Sequence, residues 1–444
     1  MATARTHPLW LDQLSVDDPG ALRPRDPLDG DDRADVVVVG AGLAGLWTAY
    51  YLLEADPSLD VLVVEADVTA AGATGHGSGW CSADLAVAGE DLVTRHGLAG
   101  ARALRAALRD AVVEVGGAAA AEQVGCGFAY GGSVLLARTP AEVERLAEHV
   151  QVAADLEDDV HLLAPDEVAE HVGATGVLAG AYSPDCARLQ PAALALGLRD
   201  VVLARGGRVV DRTTALRVSP RAVATDRGTV RTRWTVLATG AAVAPGADRA
   251  VTARHGVAIA TEPLGDAAWA TVGLPRAQTF ADRAAGVRGE RTADGRLVLV
   301  DVGGLSSASP GAVDRAADRL HGTLVDLFPS LADVALTHRW SATVGVARDG
   351  HPSVGLDDDG IGWVRGLGFD GVAAANLAGR TLADLVTGAE GPLVRLPWVG
   401  HRSPAWPPAP LRRLGQAAGR VRDAARVSAA RAPRARASAP TARR

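Results

Sequence analysis

The chain has 444 residues, 48% of them apolar and 22% charged, which excludes a disordered chain and leaves room for about two to three domains. The net charge of −7 is uneven: residues 412–444 carry ten Arg against one acid, Asp423, leaving −16 on the rest, and an acidic body argues against nucleic-acid binding. Three widely spaced cysteines, Cys81, Cys126 and Cys186, give neither a disulfide ladder nor a zinc pattern and read as thiols of a cytoplasmic protein without a metal site.

Residues 1–33, rich in Pro and Asp, read as an irregular leader, and they lack the basic start and apolar core of a secretory signal. Residues 35–39 form a short β-branched run, the mark of a buried parallel strand. Gly40, Ala41, Gly42, Leu43, Ala44 and Gly45 follow, then a helical stretch over 46–54 and a second apolar strand over 61–64 that ends at Glu65. Residues 36–53 are uncharged and long enough for a short membrane span, but the glycine spacing has a better explanation and stable insertion is not expected. A Gly-x-Gly-x-x-Gly turn between strand and helix, with an acid 20 residues past the last glycine, is a dinucleotide-binding signature. Gly40 permits the tight turn, Gly42 lets backbone approach a diphosphate, and Gly45 lets helix and strand pack closely. The helix N-terminus offers N–H groups and partial positive charge. Glu65 accepts from ribose hydroxyls and, with Ala66, marks the nucleoside end; an acid there repels a 2′-phosphate.

Past this unit, Gly72, Ala73, Thr74, Gly75, His76, Gly77, Ser78, Gly79 and Trp80 form a Gly-rich loop suited to phosphates and a ring system, or a plain surface turn. Helical patterns cover 98–121, 140–155 and 190–205, with a strand at 208–210 and alternating segments over 213–233. A buried strand over 235–240 ends at Thr239 and Gly240. Strands joined by Gly and Asp turns fill 251–304, and 310–328 is helical. Near the end, Gly368, Phe369, Asp370, Gly371 and Val372 make a second Gly-rich turn that opens a long apolar helix to 386. That helix N-terminus either faces developing negative charge or is an ordinary one capped by Asp370. The Arg/Ala segment 412–444 reads as a solvated, disordered tail.

Taken in order, the bend at 40–45, Glu65, the loop 72–80 and the segments 235–240, 260–264, 291–296, 348–355 and 366–385 resemble the D-amino acid oxidase, glycine oxidase and sarcosine oxidase family of FAD-dependent oxidoreductases. The resemblance implies an α/β fold. It has a Rossmann-like FAD-binding domain of glutathione-reductase-like topology and an inserted α+β substrate domain on an antiparallel sheet. The FAD part would come from 34–87, 166–241 and 339–411, and the substrate part from 88–165 and 242–338. The implied reaction moves a hydride from the carbon beside an amine to flavin N5, giving an imine that hydrolyses, with O2 or another acceptor taking the electrons. By resemblance, His76, Arg291, His351 and Trp340 are the catalytic candidates, and Arg348 is a second Arg that could hold a carboxylate or phosphonate. His76 stands where one branch of the family attaches flavin covalently, or is a free ring lining the site. No Cys follows Cys186 to serve a late cysteinyl attachment, and no lysine exists to promote reaction with O2. The substrate is a small amine or amino acid, with aminophosphonates and polyamine derivatives equally credible. An NAD-dependent dehydrogenase is disfavoured by the loops at 70–79 and 366–371, and a non-catalytic flavin-binding scaffold is the remaining alternative.

Overall fold

The computed structural model describes residues 4–242, 250–305 and 307–407. The tail expected over 412–444 lies outside the described residues. An eight-stranded sheet has five parallel strands at its heart, in the order Arg208–Val210, Val61–Val64, Asp32–Val39, Thr229–Leu237 and Ile361–Arg365. Val36 to Val38 and Val61 to Val63 are fully buried, as expected of strands covered on both faces. Strands Ala215–Ser219 and Ala222–Thr225 form an antiparallel meander against the first half of Thr229–Leu237, and Ser353–Leu356 pairs with Ile361–Arg365. The order reverses between Asp32–Val39 and Thr229–Leu237. A crevice therefore opens past the carboxyl ends of these two strands, at Gly40 and Ala238.

Two apolar helices cover one face of this sheet. Leu43–Ala55 is buried along nearly its whole length and crosses Gly371–Thr387, whose Gly379 lies so close that a Cβ would stand 2.7 Å from the Trp47 backbone. Helix Gly89–Ala121 bends at Gly97 (φ +69°) and packs Leu104, Leu108, Val112 and Val115 into the same core.

A second eight-stranded sheet runs Leu336–Ala347, Val251–Thr261, Leu297–Leu305, Val287–Arg291, Thr279–Asp282, Ser133–Ala137, Ala179–Ser183 and His161–Leu163. It is antiparallel except where Thr279–Asp282 meets Ser133–Ala137. Ala179–Ser183 and Leu336–Ala347 draw it into two of the three spans assigned above to the nucleotide-binding part. Helix Pro310–Leu327 buries Val313, Ala317, Leu320 and Leu324, a three-and-four spacing, against it. Within 4–405 the two sheets belong to one compact unit.

The expected irregular leader is corrected in part. Leu9–Asp17 is a helix, started by Pro8 and burying Leu9, Trp10 and Leu11. Before it, the Arg5 N–H donates to the Thr337 carbonyl at 2.8 Å and the Arg5 carbonyl accepts from Arg339, extending the second sheet.

Candidate functional site

A cavity of about 810 Å³ follows the crevice from Glu65 to Gly371. Its floor is the bend after Asp32–Val39. Gly40 takes φ +110°, and a Cβ there would stand 2.6 Å from the Ala238 carbonyl oxygen. A Cβ on Gly45 would fall 1.9 Å from the Gly40 oxygen, so helix Leu43–Ala55 can begin here only with glycine. Gly42 is the residue before that helix and brings no side-chain cap. The Leu43 N–H instead donates to Thr74 Oγ1 at 3.1 Å, which ties the bend to the second loop.

Glu65 stands at one end of the cavity. Its Oε2 accepts from the Ala41 N–H at 2.7 Å and its Oε1 from the Asp67 N–H at 3.0 Å. A carboxylate has about four acceptor sites, so two bonds leave capacity for a ligand's hydroxyls. Burial raises its pKa, against the pull of those two N–H bonds. Thr213, Thr214, Ala215 and Leu216 also wall this end; no glycine signature announced them in the sequence.

At the other end, Gly72, Ala73, Thr74, His76, Gly77 and Ser78 line the cavity around the short helix Ala73–His76. Two indoles hold this loop from behind: Trp10 Nε1 donates to the Gly77 carbonyl and Trp340 Nε1 to the His76 carbonyl, each at 2.9 Å. The two Trp rings meet edge to face at 6.5 Å. His76 Nδ1 lies 3.0 Å from the Gly72 carbonyl. A carbonyl only accepts, so Nδ1 carries the proton there and Nε2 keeps its lone pair. Burial lowers the His76 pKa and favours this neutral form.

Ser341, Thr343 and Gly345 of the strand Leu336–Ala347 form another wall, with Thr239 and Gly240 opposite. A Cβ on Gly345 would stand 2.4 Å from the Gly240 oxygen, which shows how closely these walls approach. Gly368, Phe369, Gly371 and Val372 close the end, where helix Gly371–Thr387 begins.

The expected site residues therefore divide. Gly40, Gly42, Leu43, Ala44, Glu65, Ala66, the loop residues just named, Thr239, Gly240 and the residues at 368, 369, 371 and 372 line one cavity. Ala41, Gly45, Gly75, Gly79, Trp80 and Asp370 stand behind the wall. Among the catalytic candidates, only His76 lines it. Trp340 is 1% exposed and serves as the loop's prop. Arg291 lies over the Trp269 ring, 4.3 Å from its centre. His351 packs between His96 and His401. Arg348 donates to the Ala405 carbonyl at 3.1 Å. Sequence reasoning missed Ser341, Thr343, the wall at 213–216 and Arg288, which pairs with Asp370.

The groups present suit an extended dinucleotide: a side-chain-free bend, a helix start beside it, a carboxylate at one end and a second helix start at the other. Among the described residues no helix is long and apolar enough to cross a membrane, and no cluster of side chains could hold a metal ion.

Comparison with known proteins agrees with this geometry. Residues 35–385 match the family described as FAD dependent oxidoreductase. Gamma-glutamylputrescine oxidoreductase of Escherichia coli (strain K12) is 24% identical over 374 residues, covering 82% of this chain and 86% of its own. The crystal structure of glycine oxidase from Geobacillus kaustophilus superposes with a TM-score of 0.68 at 20% identity, over 83% of this chain and 99% of that one. L-proline dehydrogenase from P. horikoshii gives 0.65 at 16% identity, over 82% and 97%.

Proposed function

The chain belongs to the FAD dependent oxidoreductase family, and on that premise we propose that it oxidises the C–N bond of a small amine or amino acid. The observation that carries this reading is the single cavity joining the Glu65 carboxylate, the bend at 40–45 and the start of helix Gly371–Thr387. Similarity to gamma-glutamylputrescine oxidoreductase and to glycine oxidase supports an amine or amino acid over other reductants. FAD, when bound, supplies the hydride acceptor, and the amine becomes an imine that water hydrolyses.

The chain's own groups divide the work. Gly40 and Gly42 with the start of helix Leu43–Ala55 receive the diphosphate, and Glu65 takes ribose hydroxyls. The loop 72–78, the wall at 341–345 and residues 368–372 enclose the ring system. Trp10 and Trp340 fix the loop's carbonyls, so its N–H groups keep one arrangement. The first turn of helix Gly371–Thr387 presents N–H groups and partial positive charge where negative charge would develop. The second sheet, through Ser341 and Thr343, carries the substrate side. O2 or another acceptor takes the electrons, and without lysine an Arg can serve as the fixed cation for O2. The free, buried thiols of Cys81, Cys126 and Cys186 support a cytoplasmic setting.

Purified protein should be yellow, with absorbance near 450 nm, and should bleach anaerobically with a member of a panel of amines, amino acids, aminophosphonates and acylated polyamines. Colourless protein that cannot be loaded with FAD would end this reading, and silence across the panel would favour a flavin-binding scaffold. Acid precipitation then reads the linkage: colour kept with the pellet means a covalent bond, which His76→Ala should abolish if His76 carries it, and colour in the supernatant excludes one.

A further inference from the structure

The start of helix Gly371–Thr387 departs from the usual pattern. Asp370 precedes the first helical residue, where a short acid normally accepts from an N–H of the first turn. Here it makes no such bond and sits at φ −98°, ψ 38°. Its carboxylate is turned to Arg288 of the strand Val287–Arg291. Arg288 Nη1 donates to Oδ1 and Nη2 to Oδ2, the second at 3.0 Å, and Ser82 Oγ donates to Oδ1 at 3.4 Å. Both partners are largely sealed, with 4% of the Asp370 and 16% of the Arg288 side chain exposed. The guanidinium also lies 5.1 Å from the centre of the Trp80 ring, which follows the loop 72–79 directly. One side chain of the second sheet thus grips both the helix start and the end of the Gly-rich loop. Phe369 and Gly371, on either side of Asp370, line the cavity.

We propose that Arg288 is a positioning residue for bound FAD: it holds the Asp370 carboxylate off the first turn of helix Gly371–Thr387 and neutralises it, so that the open helix start faces the cavity. A two-pronged guanidinium suits this role because it fixes direction as well as charge. Released from Arg288, Asp370 would either cap its own helix or stand as a buried, unpaired anion next to two lining residues. Either outcome removes positive potential from that end of the cavity. The inference rests on the FAD reading above and goes further by assigning the electrostatics of the ring end to a pair outside the cavity wall.

The test is the midpoint potential of bound FAD and its dissociation constant from the loaded protein, measured for four variants. Arg288→Met should lower the potential and weaken FAD binding about tenfold; a tenfold loss of preference for the reduced form corresponds to ~30 mV in a two-electron couple. Asp370→Asn, nearly isosteric, should shift the potential upward, because Arg288 then loses its hydrogen-bonded carboxylate and keeps only the weaker attraction of Asp84. The pair Arg288→Met with Asp370→Asn should return close to the unsubstituted protein, and Arg288→Lys should fall between. Opposite shifts from the two single changes, cancelling in the pair, establish the role. An unchanged potential in Asp370→Asn overturns it, even if Arg288→Met fails to fold. A pair no better than Arg288→Met also overturns it, since packing alone would then explain the loss. Failure of the unsubstituted protein to bind FAD at all would instead strike the functional reading.

Discussion

Glu290 shows what one buried carboxyl does to the molecule. It lies on the strand Val287–Arg291, 1% exposed, with Oε1 accepting from the Gly79 N–H at 2.7 Å. Its Oε2 has no hydrogen-bond partner among the described residues. Burial pushes its pKa from 4.5 up to about 7, outweighing the Gly79 bond and the nearby Arg188 charge. Unfolded chains lose this proton from about pH 4.5, whereas the folded chain keeps it to about 7. Folding therefore costs more as pH rises through that window, at ~1.4 kcal/mol per pH unit, and no more above it. Glu290→Gln keeps an acceptor for Gly79 and removes the titration. Thermal unfolding should show the variant gaining on the unsubstituted protein from pH 5 to pH 8 by about 3 °C; a pH-independent difference would refute the assignment. At Glu65 the concern is the ligand. Glu65→Ala removes the acceptor of both the Ala41 and Asp67 N–H groups, and titration of the FAD-free protein should show affinity for FAD falling by about tenfold to a hundredfold, the worth of a charged hydrogen bond.

Among elements, helix Leu9–Asp17 carries a role out of proportion to its length. Its Trp10 reaches 67 residues along the chain to the Gly77 carbonyl, and its Leu11 side chain stands 3.1 Å from where a Cβ on Gly75 would be. Trp10→Phe keeps one aromatic ring and deletes the N–H, at about 1 kcal/mol for the hydrogen bond and about 1–2 kcal/mol more for the space left by the smaller ring. FAD should then dissociate faster, with the melting temperature lowered by a few degrees at most; an unaltered dissociation rate would mean the loop holds itself. The sequence hid this helix because its buried face is a single run, Leu9 to Leu11, whose partners lie far along the chain. The bend at 40–45 was legible for the opposite reason. Its constraint is steric and local, and glycine at φ +110° or against a carbonyl oxygen leaves a pattern in the sequence itself. The parallel strands were legible because burial on both faces demands unbroken β-branched runs. The resemblance offered Trp340 as a catalytic candidate but placed it on no strand and could not settle which way it faces. Alternation decides that: Ser341 and Thr343 face the cavity, while Trp340 turns toward Trp10 and the back of the loop. Arg288 was out of reach, one guanidinium among 45 basic residues until strand register brings it to Asp370.

At the scale of the whole molecule, the cavity is assembled from stretches near residues 40, 74, 240, 343 and 370, so its integrity depends on contacts that close the chain on itself. One such closure gathers His96 from helix Gly89–Ala121, Asp349 and His351 from the turn after Leu336–Ala347, and His401 near the end of the described chain. The His351 ring stands 5.5 Å from that of His96 and 5.7 Å from that of His401, while His401 Nε2 and Arg95 both reach Asp349, at 2.9 and 3.1 Å. Burial drives the His351 pKa from 6.5 down to about 4; Arg95 and the two neighbouring rings add repulsion, and Asp349 opposes them. Between those values the unfolded chain takes up a proton that the folded chain refuses, so stability is present above about pH 6.5 and drains away as pH falls toward 4. His96, lowered by burial and Arg95, pushes in the same direction. His351→Phe keeps a flat ring in the gap and removes one of these titrations. Its melting temperature should match the unsubstituted protein within a few degrees at pH 7.5 and exceed it at pH 4.5, since only the unsubstituted chain must hold a neutral imidazole there. Parallel melting curves across that range would show that the closure is held by the Asp349 pairs alone and that His351 merely fills space.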